Sequence, residues 1–335
     1  MKGTLSMNYR PLGRTGWQVS VLGFGCGAIG GLLVRGDYPT MRQTIARAID
    51  LGINYFDTAA LYGNGQSEVN LGAILRELQA DVLVGTKVRL TRPAEVTQIE
   101  QTVIALVEGS LRRLGREPID LLQFHNSLGT QRNLDRSLVT GADLAEVIAA
   151  FQKLQQQGKI RHWGITGLGE TATLHQAIET GGIDSVQCCY NLLNPSAGTA
   201  VRAGFPYQDY GQLIDKAAAQ SIGVIALRVL AGGALSGILE RHPVAAREVN
   251  PIASAADYAE DVTNARRLSW LIDEGHVQHL VEAAIRFVIS HPGVSTALVG
   301  ISTPEQLEQA VAYAKRGPLA PAVLERLTTL HATNG

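Results

Sequence analysis

The chain has 335 residues, 45% of them hydrophobic and 18% charged, with a formal net charge of -1. This composition excludes a disordered chain, and the near-zero charge argues against a nucleic-acid partner or a polybasic membrane anchor. The three cysteines (Cys26, Cys188, Cys189) lack metal-ligand spacing and read as free thiols; with neither a signal segment nor an apolar run of transmembrane length, the protein is expected in the cytoplasm, bound to no membrane.

Met1–Ser6 precede a second methionine and read as an N-terminal extension, so the fold is expected over residues 7–335 as one domain. Tyr9–Val19, with Gly13, Thr15 and Gly16, predicts a short β-hairpin. Eight short apolar or β-branched runs follow in order: Val21–Gly25, Tyr55–Ala59, Val82–Val88, Ile119–His125, Ile160–Thr166, Ser185–Tyr190, Gly223–Leu230 and Ser295–Ile301. Several are continuously apolar, as strands covered on both faces are. Segments of helical periodicity lie between them. Ile99, Val103, Val107, Leu111 and Leu114 form one stripe, and Val277, Leu280, Val281, Ala284 and Val288 form another. Eight strand–helix units without a composition break predict a closed (β/α)8 barrel of the TIM type, rather than an open doubly wound sheet. Two connections are long: Asn191–Tyr210 and Gly232–Gly275. Both follow strands, which puts them on the C-terminal face, where barrel active sites are built.

Four polar residues fall at or just past successive strand ends: Asp57, Tyr62, Lys87 and His125. Such groups are costly at a barrel mouth unless paired. Together they suit carbonyl reduction. Hydride arriving at a carbonyl carbon leaves charge on oxygen, which a tyrosine can neutralise with its proton; a neighbouring ammonium lowers the phenol's pKa, a carboxylate orients that ammonium, and a histidine polarises the carbonyl. Each also has an ordinary reading, as a turn cap, a loop aromatic, a solvated lysine and a rim histidine; their joint placement favours the chemical one.

Gly25-Cys26-Gly27-Ala28-Ile29-Gly30 spells G-x-G-x-x-G, but no helix opens inside it and no strand-end acid follows at the right distance, so a Rossmann site is rejected. Gly27 is expected instead to let the first strand-end loop approach a cofactor closely. Gly300-Ile301-Ser302-Thr303-Pro304-Glu305-Gln306 reads as a helix start after the last strand, an anion site in many barrels. The small-residue run Arg228–Gly237, including Leu230 and Gly232, is expected to form the facing wall.

These motifs resemble the aldo-keto reductase family over Tyr9 to about Ala312. The blocks that carry the resemblance are Arg10-Pro11-Leu12-Gly13-Arg14-Thr15-Gly16, Gly52–Ala59 with Tyr62-Gly63 and Ser67-Glu68, and Ser110-Leu111 with Leu114-Gly115 and Ile119–Leu122. The resemblance implies that Tyr62 is the proton donor, Lys87 and Asp57 tune it, and His125 positions the carbonyl. It implies a nicotinamide dinucleotide, usually NADP(H), contacted by Asp57, Asn126, Thr166 and Gln187. Two positions depart from the family pattern. Thr166-Gly167 stands where Ser-Asn is usual, and Leu227, beside Arg228, replaces a stacking tyrosine. Gly300, Ser302 and Gln306 carry no charge, so NADP(H) is expected with only modest preference and NAD(H) is a realistic alternative. The expected substrate is a small aldehyde, ketone or aldose, in either direction of reaction. Two other functions fit parts of the pattern: a Schiff-base lyase using Lys87, and a non-catalytic, cofactor-sensing subunit.

Overall fold

The structure is a computed structural model that describes residues 6–333, with side chains through Leu330. Of the expected extension Met1–Ser6, all but Ser6 lies outside the described residues. Eight parallel strands close into a barrel: β1 (Leu22–Gly25), β2 (Tyr55–Asp57), β3 (Leu83–Val88), β4 (Ile119–Phe124), β5 (Ile160–Gly167), β6 (Ser185–Cys189), β7 (Gly223–Leu227) and β8 (Val294–Gly300). Each pairs with its neighbours in the chain, and β8 closes on β1 through Leu22↔Ala297. The helices α1 (Tyr38–Asp50), α2 (Gln66–Glu77), α3 (Ile99–Leu114), α4 (Gly141–Gln156), α5 (Thr171–Thr180), α6 (Leu213–Ala219), α7 (Leu280–Ser290) and α8 (Pro304–Lys315) alternate with them. The predicted stripe on α3 is buried throughout. The second stripe is shorter than expected: α7 starts at Leu280, and Val277 lies in the turn before it.

Strand alternation sorts the side chains. Phe24, Phe56, Val84, Leu122 and Phe124 face outward into the main core under the helices. Tyr55, Leu121 and Ile225 face inward, where they meet Leu12 and Val19 of the hairpin in a separate small cluster. The hairpin pairs Tyr9–Pro11 with Gln18–Ser20 and closes the barrel floor. Gly13 sits at φ +52°, and a Cβ there would lie 2.2 Å from the Gly223 nitrogen, so only glycine lets the turn press against β7. Arg10 clamps the hairpin by donating to the carbonyls of Ile289, His291 and Val294 at 2.6–2.9 Å.

Several strands end earlier than the apolar runs suggest. β7 stops at Leu227 because Arg228 turns the chain at φ +57°. The connection Gly232–Gly275 is not irregular throughout. It contains 3-10 turns over Ala231–Ser236 and helices at Tyr258–Arg266 and Trp270–Asp273. Its first part crosses to the β1 side as a strap: Arg35 donates to the Val244 carbonyl at 2.7 Å, and the Ala246 amide donates to the Ile29 carbonyl at 3.1 Å. Arg241 stiffens it from within by donating to the carbonyls of Ala246 (2.6 Å) and Gly232 (2.7 Å). The other long loop is held by Asn194, whose amide donates to the carbonyls of Gln208 (2.9 Å) and Ala253 (2.7 Å) and so ties the two loops together.

Candidate active site

The inward columns of β2 to β6 carry polar groups above the floor. On β2, Asp57 stands two residues above Tyr55 and therefore on the same face. On β3, Gly85 and Lys87 follow the same parity, and Tyr55 uses the space that Gly85 leaves: a Cβ there would lie 2.4 Å from the tyrosine oxygen. Lys87 donates to Asp57 Oδ1 in an ion pair almost closed to solvent, with side chains 1% and 4% exposed, and to the Thr58 carbonyl at 2.7 Å. Asp57 Oδ2 accepts from Gln187 Nε2 at 2.7 Å and from the Tyr55 hydroxyl at 3.3 Å. Every oxygen of the carboxylate is thus occupied, the condition under which a buried ion pair holds its geometry.

Tyr62 comes from the turn after β2 and lies over this pair, with the Lys87 ammonium 4.9 Å from its ring centroid. The His125 ring stands edge-on to it at 6.0 Å between centroids. His125 ends the ladder of β4 against β3, its amide donating to the Val88 carbonyl at 2.8 Å. Four residues predicted from three strand ends therefore converge on one space. Burial holds the His125 pKa down to about 3, with the charges of Lys87 and Arg89 adding to the effect, so the imidazole is neutral. Lys87 is held above the usual lysine range, where the attraction of Asp57 and Tyr62 overcomes burial. Tyr62 differs from expectation: Lys87 does pull its pKa down, but burial pushes it up by more, so the phenol stays above the ordinary tyrosine value. At neutral pH the pair is a phenol beside an ammonium.

A cleft of about 740 Å³ runs from Tyr62 and His125 across the barrel mouth to α8. Near its inner end Gly27, Asp57, Thr166 and Gln187 line it. Leu227, Arg228, Leu230 and Gly232 form one wall, and Gly300, Ser302 and Gln306 the other. The strap contributes Glu240, Arg241 and His242. Two expected residues stand outside this lining. Asn126 is fully buried and clamps the neighbouring strand end, its side chain accepting from the Leu90 amide at 2.8 Å and donating to the Leu90 carbonyl at 2.9 Å. The Ser137 carbonyl takes its second N–H at 3.3 Å, so the side chain has no donor left for the expected cofactor contact. Thr303 caps α8, accepting from the Gln306 amide at 3.3 Å. The α8 start is more self-satisfied than the sequence suggests. Ser302 donates its amide to Gln306 Oε1 (2.9 Å) and its hydroxyl to the Gly30 carbonyl (2.6 Å), and Pro304 has no N–H to offer. Tyr55 and the strap arginines Arg35 and Arg241 join the site only in the folded structure. The alternation Tyr55-x-Asp57 was the signal available for the first; nothing local marks the other two.

The polar atoms of the cleft bear on whether a dinucleotide fits it. The Thr166 hydroxyl and His125 Nδ1 are buried without a hydrogen-bond partner, and both residues line the cleft. Such atoms are costly unless a bound group satisfies them. Together with glycines at the walls, they fit a nicotinamide dinucleotide. Among the described residues no helix is long and apolar enough to cross a membrane, and no cluster of three or more His, Cys, Asp or Glu could hold a metal ion.

Comparison with known proteins agrees. The model of the Aldo/keto reductase family matches residues 21–332. L-galactose dehydrogenase of Arabidopsis thaliana is 30% identical over 90% of this chain and 86% of its own. Pyridoxal 4-dehydrogenase of Microbacterium luteolum is 30% identical over 91% and 92%. Among solved structures, the holo form of aldo-keto reductase AKR11C1 from Bacillus halodurans superposes with a TM-score of 0.69 at 26% identity, covering 98% of this chain and 97% of that one. A match that runs through all eight strands, on a barrel whose cleft suits the nicotinamide cofactor of that family, makes this chain a member of the aldo/keto reductase family and an oxidoreductase.

Proposed function

We propose that the protein interconverts a small carbonyl compound and its alcohol, with Asp57, Tyr62, Lys87 and His125 as the reacting set. The observation that carries this reading is the dry Asp57–Lys87 ion pair beneath Tyr62, with His125 across the same space. When bound, a nicotinamide dinucleotide supplies or accepts the hydride. The protein's part is the proton. In reduction Tyr62 Oη gives its proton to the carbonyl oxygen, and the adjacent Lys87 ammonium stabilises the phenolate that remains. Asp57 keeps that ammonium charged and fixed. His125, neutral at working pH, donates a hydrogen bond to the carbonyl oxygen without competing as an acid. In oxidation the same groups run in reverse.

For the dinucleotide, the support is for NADP(H) with no more than a modest preference over NAD(H). Gln306, Ser302 and Thr303 offer no positive charge, and their polar groups already serve the protein. The guanidinium of Arg241 is engaged with backbone carbonyls. Relatives named for the dehydrogenation of L-galactose and of pyridoxal keep sugars and other polar carbonyl compounds in range, and the oxidative direction with them.

The lyase alternative loses support from the same geometry: Schiff-base formation needs a free amine, whereas Lys87 is a paired ammonium. The test is a screen of aldehydes, ketones and aldoses with both dinucleotides in both directions, followed by nicotinamide absorbance. Turnover that disappears in Tyr62→Phe is expected. Substrate trapped on Lys87 by borohydride, with no dinucleotide-dependent turnover, would overturn the reading. An NADPH preference above about 1000-fold in kcat/KM, roughly 4 kcal/mol, would overturn the cofactor assignment.

A further inference from the structure

One cation at the barrel mouth has no role in the reacting set. The β3–β4 ladder pairs Lys87↔Gln123 and Val88↔Phe124. The hydrogen bond from the His125 amide to the Val88 carbonyl carries the ladder one step further and brings Arg89 level with His125. The clamp of Asn126 on both backbone groups of Leu90 fixes the segment from the other side. Arg89 therefore continues the parity of Lys87 one step past the end of β3, beside the cleft rather than among its lining residues and close enough to His125 for its charge to act on the imidazole. The strand rise puts its Cα about 7 Å beyond that of Lys87.

Arg89 is half-buried, and its Nε is closed to solvent with no hydrogen-bond partner. Other half-buried arginines find partners: carboxylates for Arg113 (Glu68), Arg116 (Asp120) and Arg286 (Glu282), and backbone carbonyls for Arg10, Arg228 and Arg241. Arg89 has none, and among the described residues it is the only arginine or lysine with a buried side-chain nitrogen left unbonded. The charge balance points the same way. Lys87 is neutralised by Asp57 and His125 is uncharged, so Arg89 and the cleft-wall Arg228, neither of them ion-paired among the described residues, leave net positive charge around the reacting space. A partly buried guanidinium without a partner is costly, and its planar fork matches a carboxylate or phosphate oxygen pair.

We infer that Arg89 binds an anionic group on the substrate, so that the preferred carbonyl compound carries a carboxylate or phosphate about one ring-length from its carbonyl carbon. This rests on the carbonyl chemistry proposed above and narrows it to a substrate class. A matched pair tests it: 4-carboxybenzaldehyde and its neutral methyl ester, methyl 4-formylbenzoate. The acid is expected to exceed the ester in kcat/KM by about tenfold or more, as a charge-assisted hydrogen bond allows. In Arg89→Met that ratio should collapse toward one, mainly through KM of the acid. Arg89→Lys should recover part of it, because charge remains and the fork is lost. Benzoate, titrated by calorimetry with oxidised NADP present, should bind the wild type saturably and Arg89→Met at least about tenfold more weakly, with thermal unfolding confirming that the variant is folded. An ester turned over as well as the acid, or a ratio unmoved by Arg89→Met, overturns the inference and leaves the reductase reading standing. If neither aldehyde is turned over but benzoate binding depends on Arg89, the reductase reading fails and the anion site stands. Absence of benzoate binding to the wild type overturns the site. A free phosphate monoester used in place of benzoate separates the two anions.

Discussion

The floor and the mouth of this barrel are built from the same inward-facing positions, yet their chemistry differs. At the floor, Leu12, Val19, Tyr55, Leu121 and Ile225 are all 0% exposed, and four of the five are purely apolar. Two residues beyond Tyr55 stands Asp57, two and four beyond Leu121 stand Gln123 and His125, and neighbouring strands add Lys87 and Thr166. Seven buried side-chain polar atoms lack a partner among the described residues; four of them, Arg89 Nε, Gln123 Oε1, His125 Nδ1 and Thr166 Oγ1, lie at or toward the mouth, and one, Thr296 Oγ1, lies level with Ile225 at the floor. The floor leaves one such atom and is otherwise apolar, while the mouth gathers most of them. Unsatisfied polar atoms in a folded protein are costly, and their concentration at one end locates where the fold tolerates that cost.

The comparison can be broken from either end. The largest effect is expected from Lys87→Met, which leaves Asp57 buried and uncompensated. Denaturant unfolding should show a loss of about 3–5 kcal/mol, and turnover should vanish. Adding Asp57→Asn should restore most of the stability and none of the turnover; a double variant as unstable as the single one would mean that packing rather than charge governs the mouth. Leu12→Ala should cost about 2–5 kcal/mol by opening a cavity in the floor, with kcat of the folded protein within about twofold of wild type. A parallel fall in kcat would show that the two ends are coupled. Tyr62→Phe reverses the pattern: at least about 100-fold less turnover, as for loss of a general acid, with dinucleotide affinity nearly unchanged.

Acid should separate the ends without mutation. The folded His125 pKa is about 3, below the value near 6.5 of a free imidazole. Between these values the unfolded chain takes up a proton that the folded chain refuses. The stability linked to neutral His125 is therefore fully present above about pH 6.5 and is lost as pH falls toward 3. Urea unfolding across that window should show a limb that flattens in His125→Asn, and His125 should give the rate no limb between pH 5 and 8. The smallest effect is expected from Thr303→Ala, about 1 kcal/mol for a lost helix cap. A loss of dinucleotide affinity larger than that would mean that Thr303 bonds a phosphate directly.

Much of this was legible in the sequence because the barrel repeats a local pattern. Each strand is apolar on its outward face, each helix carries a stripe, and the four polar residues of the reacting set interrupt strand ends where burial would otherwise forbid them. What stayed hidden depends on distant partners. Asn126 looks like a rim amide ready for a ligand, and only the fold reveals that Leu90 occupies it. The strap over Gly232–Gly275 contains a helix at Tyr258–Arg266 whose N-cap, Asp257, is readable, but its route across the cleft depends on Arg35, some 209 residues before Val244. The net effect on Tyr62 is of the same kind, since the sequence supplies the lysine but not the extent of burial.

The closure of β8 on β1 has a consequence for how the chain is made. Arg10 binds carbonyls 279–284 residues further along, and Leu22 waits for Ala297 as its second strand partner. At a synthesis rate of about 5–20 residues per second, the first strand leaves the ribosome roughly 14–60 s before its closing neighbour exists. Throughout that interval the nascent chain carries an unpaired strand edge and a hairpin with nothing to plug. Cotranslational folding of the barrel must therefore finish where it started: the hairpin and β1 emerge before every other strand and are among the last elements to become native.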